Sequence, residues 1–97
     1  MPGDNNYSIE YLTEVVERDI PKLDHKVKNI IKRKIEKLSV EPNLGLPLRG
    51  KLAGCYKLKV SKYRIIYKIF KESYTILIIV IAKREKLDAY KIAEMRI

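Results

Sequence analysis

Hydrophobic and polar residues alternate along two neighbouring segments in the second half of the chain, residues 56–60 and 63–70. A period of two is typical of β-strands, in which successive side chains point to opposite faces of the sheet. The polar side of the first segment carries Lys57 and Lys59, and that of the second carries Arg64. The two-residue connection between the segments predicts a hairpin, so these three cations are expected to converge on one surface.

Two other segments complete the predicted sheet. Residues 7–12 alternate in the same way and predict a first strand, whereas residues 75–82 are apolar almost throughout and rich in β-branched side chains. Such a continuous apolar run is typical of a central strand that is covered on both faces. Residues 41–54 include two prolines and three glycines and are predicted to form a loop.

The helical segments are predicted from apolar residues spaced three and four apart. Residues 14–20 predict a short helix that ends or kinks at Pro21, because proline lacks the backbone N–H that continues a helix. Asp24 is the predicted N-cap of a longer second helix, whose apolar residues between positions 27 and 38 share one face. From Lys83 onward the pattern turns helical again.

The order of these elements predicts the fold class. One strand, two helices, three strands and a final helix within residues 1–97 indicate a single α+β domain. We expect a mainly antiparallel four-stranded sheet, with the two N-terminal helices packed on one face and a short C-terminal helix. The sheet face that carries the converging cations should stay at least partly open.

The charge balance indicates the kind of partner. Twenty-one lysines and arginines against twelve aspartates and glutamates give a net charge of +9. A thermophile's highly charged surface is the alternative explanation, but in such a protein the two signs tend to balance. Here the excess is also local, since nine cations and two anions lie between residues 57 and 86. A polyanionic partner is therefore indicated: nucleic acid, an acidic protein or an anionic membrane.

The composition argues against several classes of protein. A single cysteine allows no internal disulfide, which makes a reducing compartment the default. The N-terminus lacks a hydrophobic signal region, and the longest apolar run, residues 76–82, is far too short to cross a bilayer. We therefore expect a cytoplasmic protein with no membrane partner. His25 is the only histidine, so neither a Ser-His-Asp triad nor a zinc site is indicated, and no metal or cofactor is expected.

The chemistry that remains rests on lysine, arginine and tyrosine. These residue types suffice to cleave RNA through its own 2′-hydroxyl, because the substrate then supplies the nucleophile. The protein has to orient that hydroxyl, stabilise the negative charge of a phosphorane-like transition state and move protons. No metal is required for such a reaction.

Several motifs resemble those of the RelE branch of the RelE/ParE toxin superfamily. They are LRGKL at residues 48–52, CYKLK at 55–59, YRIIY at 63–67 and KRE at 83–85, followed by Tyr90. Their order and nearly their spacing are those of the family, and the resemblance covers nearly the whole chain.

The resemblance implies a fold and an activity. The fold would be RelE/ParE-like, which is similar to that of microbial RNases, and the protein would be the toxin of a type II toxin–antitoxin system. RelE toxins enter the ribosomal A site and cut mRNA there, leaving a 2′,3′-cyclic phosphate and inhibiting translation. The implied partners are the ribosome, mRNA and a RelB-type antitoxin, which would cover the cationic face or displace the C-terminal helix.

The resemblance also implies the site residues. Arg64 and Arg84 would grip the scissile phosphate, because their guanidinium groups are permanently charged forks. Lys57 or Lys59 would exchange a proton with the attacking hydroxyl or the leaving oxygen, and Tyr90 would orient the 2′-hydroxyl or stack on a base. The general base stays unassigned. Neighbouring cations are candidate RNA-binding residues: Lys62, Lys68, Lys83 and Lys86.

Two other functions fit a basic domain of this kind. One is a ParE-like inhibitor that binds DNA gyrase and catalyses nothing; the other is an RNA- or ribosome-binding module that does not cleave. Each candidate residue also has a simpler interpretation. Lys57 and Lys59 could be the solvent face of a strand, Arg64 could pair with a carboxylate, and Tyr90 could be a helix residue packed on the sheet.

Overall fold

A mixed β-sheet organises the computed structural model, which describes residues 6–84 and 88–97. The strands of the described part are β1 (Ser8–Tyr11), β2 (Leu46–Pro47), β3 (Cys55–Val60), β4 (Tyr63–Phe70) and β5 (Thr75–Lys83). These five strands lie in the order β1-β5-β4-β3-β2 within the described residues. β1 is parallel to β5, and the other neighbouring pairs are antiparallel.

The four predicted strands are all present, and the sheet differs from the prediction in detail at its two edges. The β3–β4 hairpin and the antiparallel pairing of β4 with β5 are confirmed. The additional strand β2 lies within the segment predicted to be a loop, where Leu46 pairs with Lys57 and Pro47 pairs with Tyr56. The sheet is also mixed, because β1 runs parallel to β5. An alternating pattern specifies a strand but carries no information about its direction, which depends on the crossover connection that follows.

Helical structure is irregular before Asp24 and regular after it. Val15–Asp19 forms a π-helix and Ile20–Lys22 a 3₁₀ turn, so the helix predicted for residues 14–20 is present but is not a regular α-helix. The Asp24 carboxylate accepts a hydrogen bond from the Val27 N–H at 2.9 Å, which confirms the predicted N-cap. The two regular helices are α1 (His25–Lys37) and α2 (Asp88–Arg96).

α1 and α2 lie on opposite faces of the sheet. The α1 face, which carries Leu58, Ile65 and Tyr67, packs against α1 and the turns before it. The α2 face, which carries Cys55 and Ile66, packs against α2. The N-terminal helical region therefore covers one face of the sheet, as predicted, although its first segment is a π-helix followed by a 3₁₀ turn rather than a regular helix.

A β-bulge in β5 changes which residues face α2. Ile66 pairs with Val80. Tyr67 pairs with Ile78, so Ile79 has no direct partner on β4. Ile79 and Val80 consequently both lie on the α2 face, and the alternation resumes one residue out of phase beyond them.

Candidate functional site

The β3–β4 hairpin brings cations from two strands together on the α2 face. Lys59 lies directly opposite Arg64, and Lys57 lies opposite Ile66. Directly opposite residues in an antiparallel pair point to the same face with Cβ atoms ~5 Å apart. Lys59 is exposed, whereas Lys57 and Arg64 are half-buried. Grouped cations repel one another, so this surface favours an anionic ligand.

Tyr90 of α2 lies over two of these cations. The Nζ of Lys57 donates a hydrogen bond to the Tyr90 hydroxyl at 3.2 Å and lies 5.8 Å from the centroid of its ring. The guanidinium carbon of Arg64 lies 5.0 Å from the same centroid. Both cations are therefore within cation–π distance of one aromatic ring. The predicted residues Lys57, Arg64 and Tyr90 form one connected group.

The guanidinium of Arg64 has unused hydrogen-bond donors. Its Nε and Nη1 are buried and have no hydrogen-bond partner within residues 6–84 and 88–97. Burying a charged donor without a partner costs free energy, and such groups in folded proteins call for an explanation. The Tyr90 ring offsets only part of this cost, because it accepts no hydrogen bond from the two nitrogens. A phosphate oxygen is the kind of acceptor that these donors lack.

Arg84 lies at the tip of the hairpin. Its backbone N–H donates to the carbonyl oxygen of Lys62 at 2.7 Å, and its Nη1 donates to the carbonyl oxygen of Ser61 at 3.4 Å. Ser61 has φ of +55°, the left-handed conformation that allows this tight turn. Arg84 and Lys62 are both exposed. The end of β5 therefore places Arg84 beside the β3–β4 turn, at the open end of the cationic surface.

The remaining candidate cations do not form one cluster. Lys68 points to the α2 face but lies four residues further along β4 than Arg64, with its Nζ 5.3 Å from the Phe70 ring. Lys83 pairs with Tyr63, which belongs to the α1 face, so the two share that face. The structure therefore places Lys83 on the face opposite to Lys57, Lys59 and Arg64, and its predicted role in RNA binding stays a prediction. Lys86 lies outside the described residues.

Other candidate chemistries find little support in the described part of the chain. No three His, Cys, Asp or Glu side chains of residues 6–84 and 88–97 are grouped so that they could hold a metal ion. No helix in those residues is both long and apolar enough to pass through a membrane. Cys55 is buried, and this burial raises the pKa of its thiol, although the charge of Lys68 acts in the opposite direction. The Cys55 thiol is therefore a poor nucleophile.

A buried ion pair near the end of α2 was not predicted. The Asp19 carboxylate accepts two hydrogen bonds from Arg96, at 2.8 and 3.0 Å, and a third from the Ile81 N–H at 2.9 Å. The sequence contains a weak signal for this pair, since each residue occupies a helical position expected to be apolar. Asp19 follows the buried Val15 by four residues, and Arg96 follows the buried Ala93 by three.

The Tyr67 hydroxyl makes two further contacts that were not predicted from the sequence. The hydroxyl accepts a hydrogen bond from the Gly45 N–H at 2.9 Å and donates one to the Pro42 carbonyl at 2.7 Å. Burial raises the pKa of Tyr67, and the Gly45 hydrogen bond partly offsets that rise. A Cβ atom on Gly45 would lie 2.5 Å from the carbonyl oxygen of Lys57. Tyr67 and Gly45 thus hold the segment from Pro42 to Gly45 against β3, the strand that carries Lys57.

The fold and this surface define a small basic α+β protein with a cationic sheet face suited to a phosphate-rich ligand. Residues 10–87 match the family described as ParE toxin of type II toxin–antitoxin system, parDE. The mRNA interferase toxin RelE of Escherichia coli K12 is 33% identical over 79 residues, which make up 78% of this chain and 82% of that relative.

Solved structures of RelE-type toxins are also similar to this chain. A variant of the E. coli toxin RelE in the free state has a TM-score of 0.79 and 26% identity, covering 95% of this chain and 98% of that one. A chain of the toxin–antitoxin complex RelBE2 from Mycobacterium tuberculosis has a TM-score of 0.75 and 31% identity, covering 81% and 99%. The chain belongs to the RelE/ParE superfamily of type II toxin–antitoxin toxins and is of the RelE type, as the sequence motifs indicated.

Proposed function

We propose that this protein is a ribosome-dependent endoribonuclease that cuts mRNA in the A site by attack of the RNA 2′-hydroxyl, leaving a 2′,3′-cyclic phosphate. The observation that carries the proposal is the Arg64 guanidinium, whose buried Nε and Nη1 have no hydrogen-bond partner in the described residues. A scissile phosphate would provide the missing acceptors. The E. coli relative bears the name mRNA interferase, which points to the same chemistry.

The proposed roles follow from the contacts of each side chain. Arg64 binds the scissile phosphate from within the surface, and the exposed Arg84 approaches it from the hairpin tip. Both offer N–H donors where negative charge grows in the transition state, the position where hydrogen bonds contribute most to the rate. Because the Nε and Nη1 of Arg64 find no acceptor in the described part of the chain, a contact with the phosphate is more favourable.

Proton transfer is assigned to the lysines and the tyrosine as a group. The hydrogen bond between the Lys57 Nζ and the Tyr90 hydroxyl couples two groups that can each exchange a proton. Lys59, opposite Arg64 and exposed, is close enough to the same surface to neutralise the leaving group or the flanking phosphate. A single general base is not assigned. Exposed Lys62 extends the RNA-binding surface beyond the hairpin tip, with Lys68 further along β4.

The proposed regulator is a RelB-type antitoxin. The chain has a net charge of +9 and a cationic surface. An acidic or amphipathic partner would complement this charge by covering the surface or by displacing α2. The solved M. tuberculosis neighbour is itself a toxin–antitoxin complex, which supports this assignment. Because the proposed substrate is ribosome-bound mRNA, the proposed site of action is the cytoplasm.

The test uses ribosomes stalled with a defined codon in the A site, purified protein and no metal beyond what ribosomes require. The 5′ ends of the mRNA are mapped for the wild type, for Arg84→Ala and for Arg33→Ala, a matched control on the exposed side of α1. We expect a cut within the A-site codon for the wild type and the control, and a rate reduced ~100-fold or more for Arg84→Ala. Intact mRNA with the wild type would refute the proposed activity, and equal rates for all three would refute the role of Arg84.

A ParE-like gyrase inhibitor is the second candidate, because the matching family is described as ParE toxin. Binding to gyrase would not need the unpaired Arg64 or the lysine–tyrosine pair. A supercoiling assay separates the two functions: inhibition of gyrase together with intact mRNA would favour this candidate. Salt-sensitive ribosome binding with neither effect would instead identify a binding module that does not cleave.

A further inference from the structure

Beyond the end of β1, side chains instead of a neighbouring strand form hydrogen bonds with the backbone of β5. β1 pairs with β5 as far as Tyr11 and Ile78. Beyond that pair, the Ile81 N–H donates to Asp19 at 2.9 Å, and the Ile79 carbonyl accepts from Arg96 at 2.8 Å. In a parallel ladder, one residue of the adjacent strand bonds to an N–H and a C=O two residues apart. The ion pair of Asp19 and Arg96 occupies that position.

The pair joins three elements by directed contacts. Asp19 comes from the π-helical turn before α1, Arg96 from the last turn of α2, and the two isoleucine backbones from β5. The side chains of Arg96 and Asp19 are only 11% and 8% exposed. Two parallel N–H···O bonds fix the plane of the guanidinium relative to the carboxylate, so Arg96 has little freedom of position or orientation.

α2 packs on the sheet through two buried alanines and the half-buried Tyr90 and Ile92. Its fully buried residues are Ala89 and Ala93, which remove little apolar area from water. Met95 is 79% exposed and Ile97 55% exposed, so the end of the helix gains little from apolar packing. Small side chains allow α2 to lie close to the sheet, but they do not interlock with it as larger ones would. The position of the helix therefore depends on its polar anchors as well as on this limited apolar packing.

We propose that Asp19 and Arg96 are positioning residues that hold α2 so that Tyr90 stays over Lys57 and Arg64. Arg96 and Tyr90 are six residues apart, about 9 Å along a helix axis. An α-helix transmits a displacement over that length as a rigid body, so releasing Arg96 moves the Tyr90 ring away from the two cations. The effect on cleavage rests on the proposed nuclease function, whereas the effect on α2 does not.

The first test measures the helix directly by amide hydrogen exchange. In Arg96→Gln, we expect the α2 amides to exchange at least ~10-fold faster than in the wild type, while the β4 amides keep their protection. Lys91→Gln is the matched control, because it removes one positive charge from an exposed position of the same helix. Unchanged α2 exchange in Arg96→Gln would overturn the proposal, as would equal acceleration in the control.

A conservative variant covers the case in which Arg96→Gln unfolds the protein. Arg96→Lys keeps a positive charge beside Asp19 but cannot form the two parallel hydrogen bonds. We expect this variant to remain folded, with α2 exchange rates between those of the wild type and Arg96→Gln. Exchange in Arg96→Lys equal to that of the wild type would show that the fork geometry does not position α2, which would overturn the proposal.

The second test asks whether Arg96 acts through Tyr90. In single-turnover cleavage at saturating ribosomes, we expect Arg96→Gln to lower the rate ~10-fold or more without changing ribosome affinity. In a Tyr90→Ala background, the same change should lower the rate less than ~2-fold further, because its effect passes through the missing ring. The same factor in both backgrounds would overturn the proposal. If the wild type does not cut mRNA, the proposed function fails, and hydrogen exchange alone decides whether Asp19 and Arg96 hold α2.

Discussion

The helices on the two faces of the sheet are held in place by different kinds of contact. On the α1 face, the helix packs large aliphatic side chains against the strands; Ile31 and Ile35 of α1 and Leu38, directly after it, are at most 2% exposed. On the α2 face, the helix contributes two buried alanines, Ala89 and Ala93, and the half-buried Tyr90 and Ile92 to a smaller apolar cluster. The cations Lys57, Lys59 and Arg64 lie on the same face. Burial of a large aliphatic side chain stabilises a protein by about 1.5–3 kcal/mol, far more than burial of alanine does.

This difference indicates where the molecule can accommodate a strained functional group. Apolar packing on the α1 face is non-directional, and the buried cluster there is larger than the one on the α2 face. The α2 face depends on a few directed contacts, including the Asp19–Arg96 pair and the Lys57–Tyr90 hydrogen bond. The Arg64 guanidinium, whose buried Nε and Nη1 lack a partner among residues 6–84 and 88–97, is tolerated there because the α1 face compensates for its cost. The predictions below test this division, in order of the expected change in stability.

The largest effect is expected from equivalent truncations on the two helices. Ile35→Ala should lower the free energy of unfolding by about 2–5 kcal/mol, because it leaves a cavity in a fully buried site. Ile92→Ala on the half-buried side of α2 should cost less than about 1.5 kcal/mol. Urea unfolding of both variants measures the difference. Equal losses would contradict the division between the faces.

The next largest loss of stability is expected from removal of the buried hydroxyl of Tyr67. Tyr67→Phe keeps the ring but leaves the Gly45 N–H and the Pro42 carbonyl without their partner, at an expected cost of about 1–3 kcal/mol. Tyr56→Phe is the control, because Tyr56 stacks on Tyr67 but is only half-buried. Its expected change lies within about 0.5 kcal/mol. A small loss in Tyr67→Phe would mean that the loop holds its place without the hydroxyl.

Arg64→Met should separate stability from activity. Methionine fills a similar volume without an unpaired charge, so the free energy of unfolding should rise by about 1 kcal/mol. If the proposed function is correct, mRNA cleavage should fall ~100-fold or more at the same time. Thermal unfolding and the A-site assay measure the two quantities on one preparation. A loss of stability would indicate that Arg64 is well paired in the free protein.

The smallest effect concerns pH. Burial raises the pKa of Tyr67 above its ordinary value of 10.0, so the unfolded chain loses this proton before the folded protein does. The folded state then binds more protons, and its stability decreases with rising pH. The contribution is complete below about pH 10 and is lost as the pH rises through the folded pKa. The stability advantage of the wild type over Tyr67→Phe should therefore shrink above pH 10; a constant difference in urea unfolding across that range would contradict this expectation.

The sequence by itself determined the features that arise from local periodicity. Alternation over residues 56–60 and 63–70 specifies two strands and places Lys57 and Arg64 on one face, because neighbouring strands share the pleat. A short connection makes those strands a hairpin. Asp24 begins α1 for an equally local reason, since its side chain bonds to an N–H three residues away. The motifs that indicated the RelE family lie mostly within these same segments.

Only the tertiary structure decided the contacts between distant segments. The bulge at Ile79 gives Lys83 the opposite face from the one it would otherwise have, and no local pattern reveals the bulge. Asp19 and Arg96 are 77 residues apart, so their pairing depends on how α2 and the π-helical turn approach β5. The placement of Tyr90 over Arg64 has the same origin. Periodicity reports which side of an element is apolar, whereas the partners of a buried charge are set by the packing of whole elements in three dimensions.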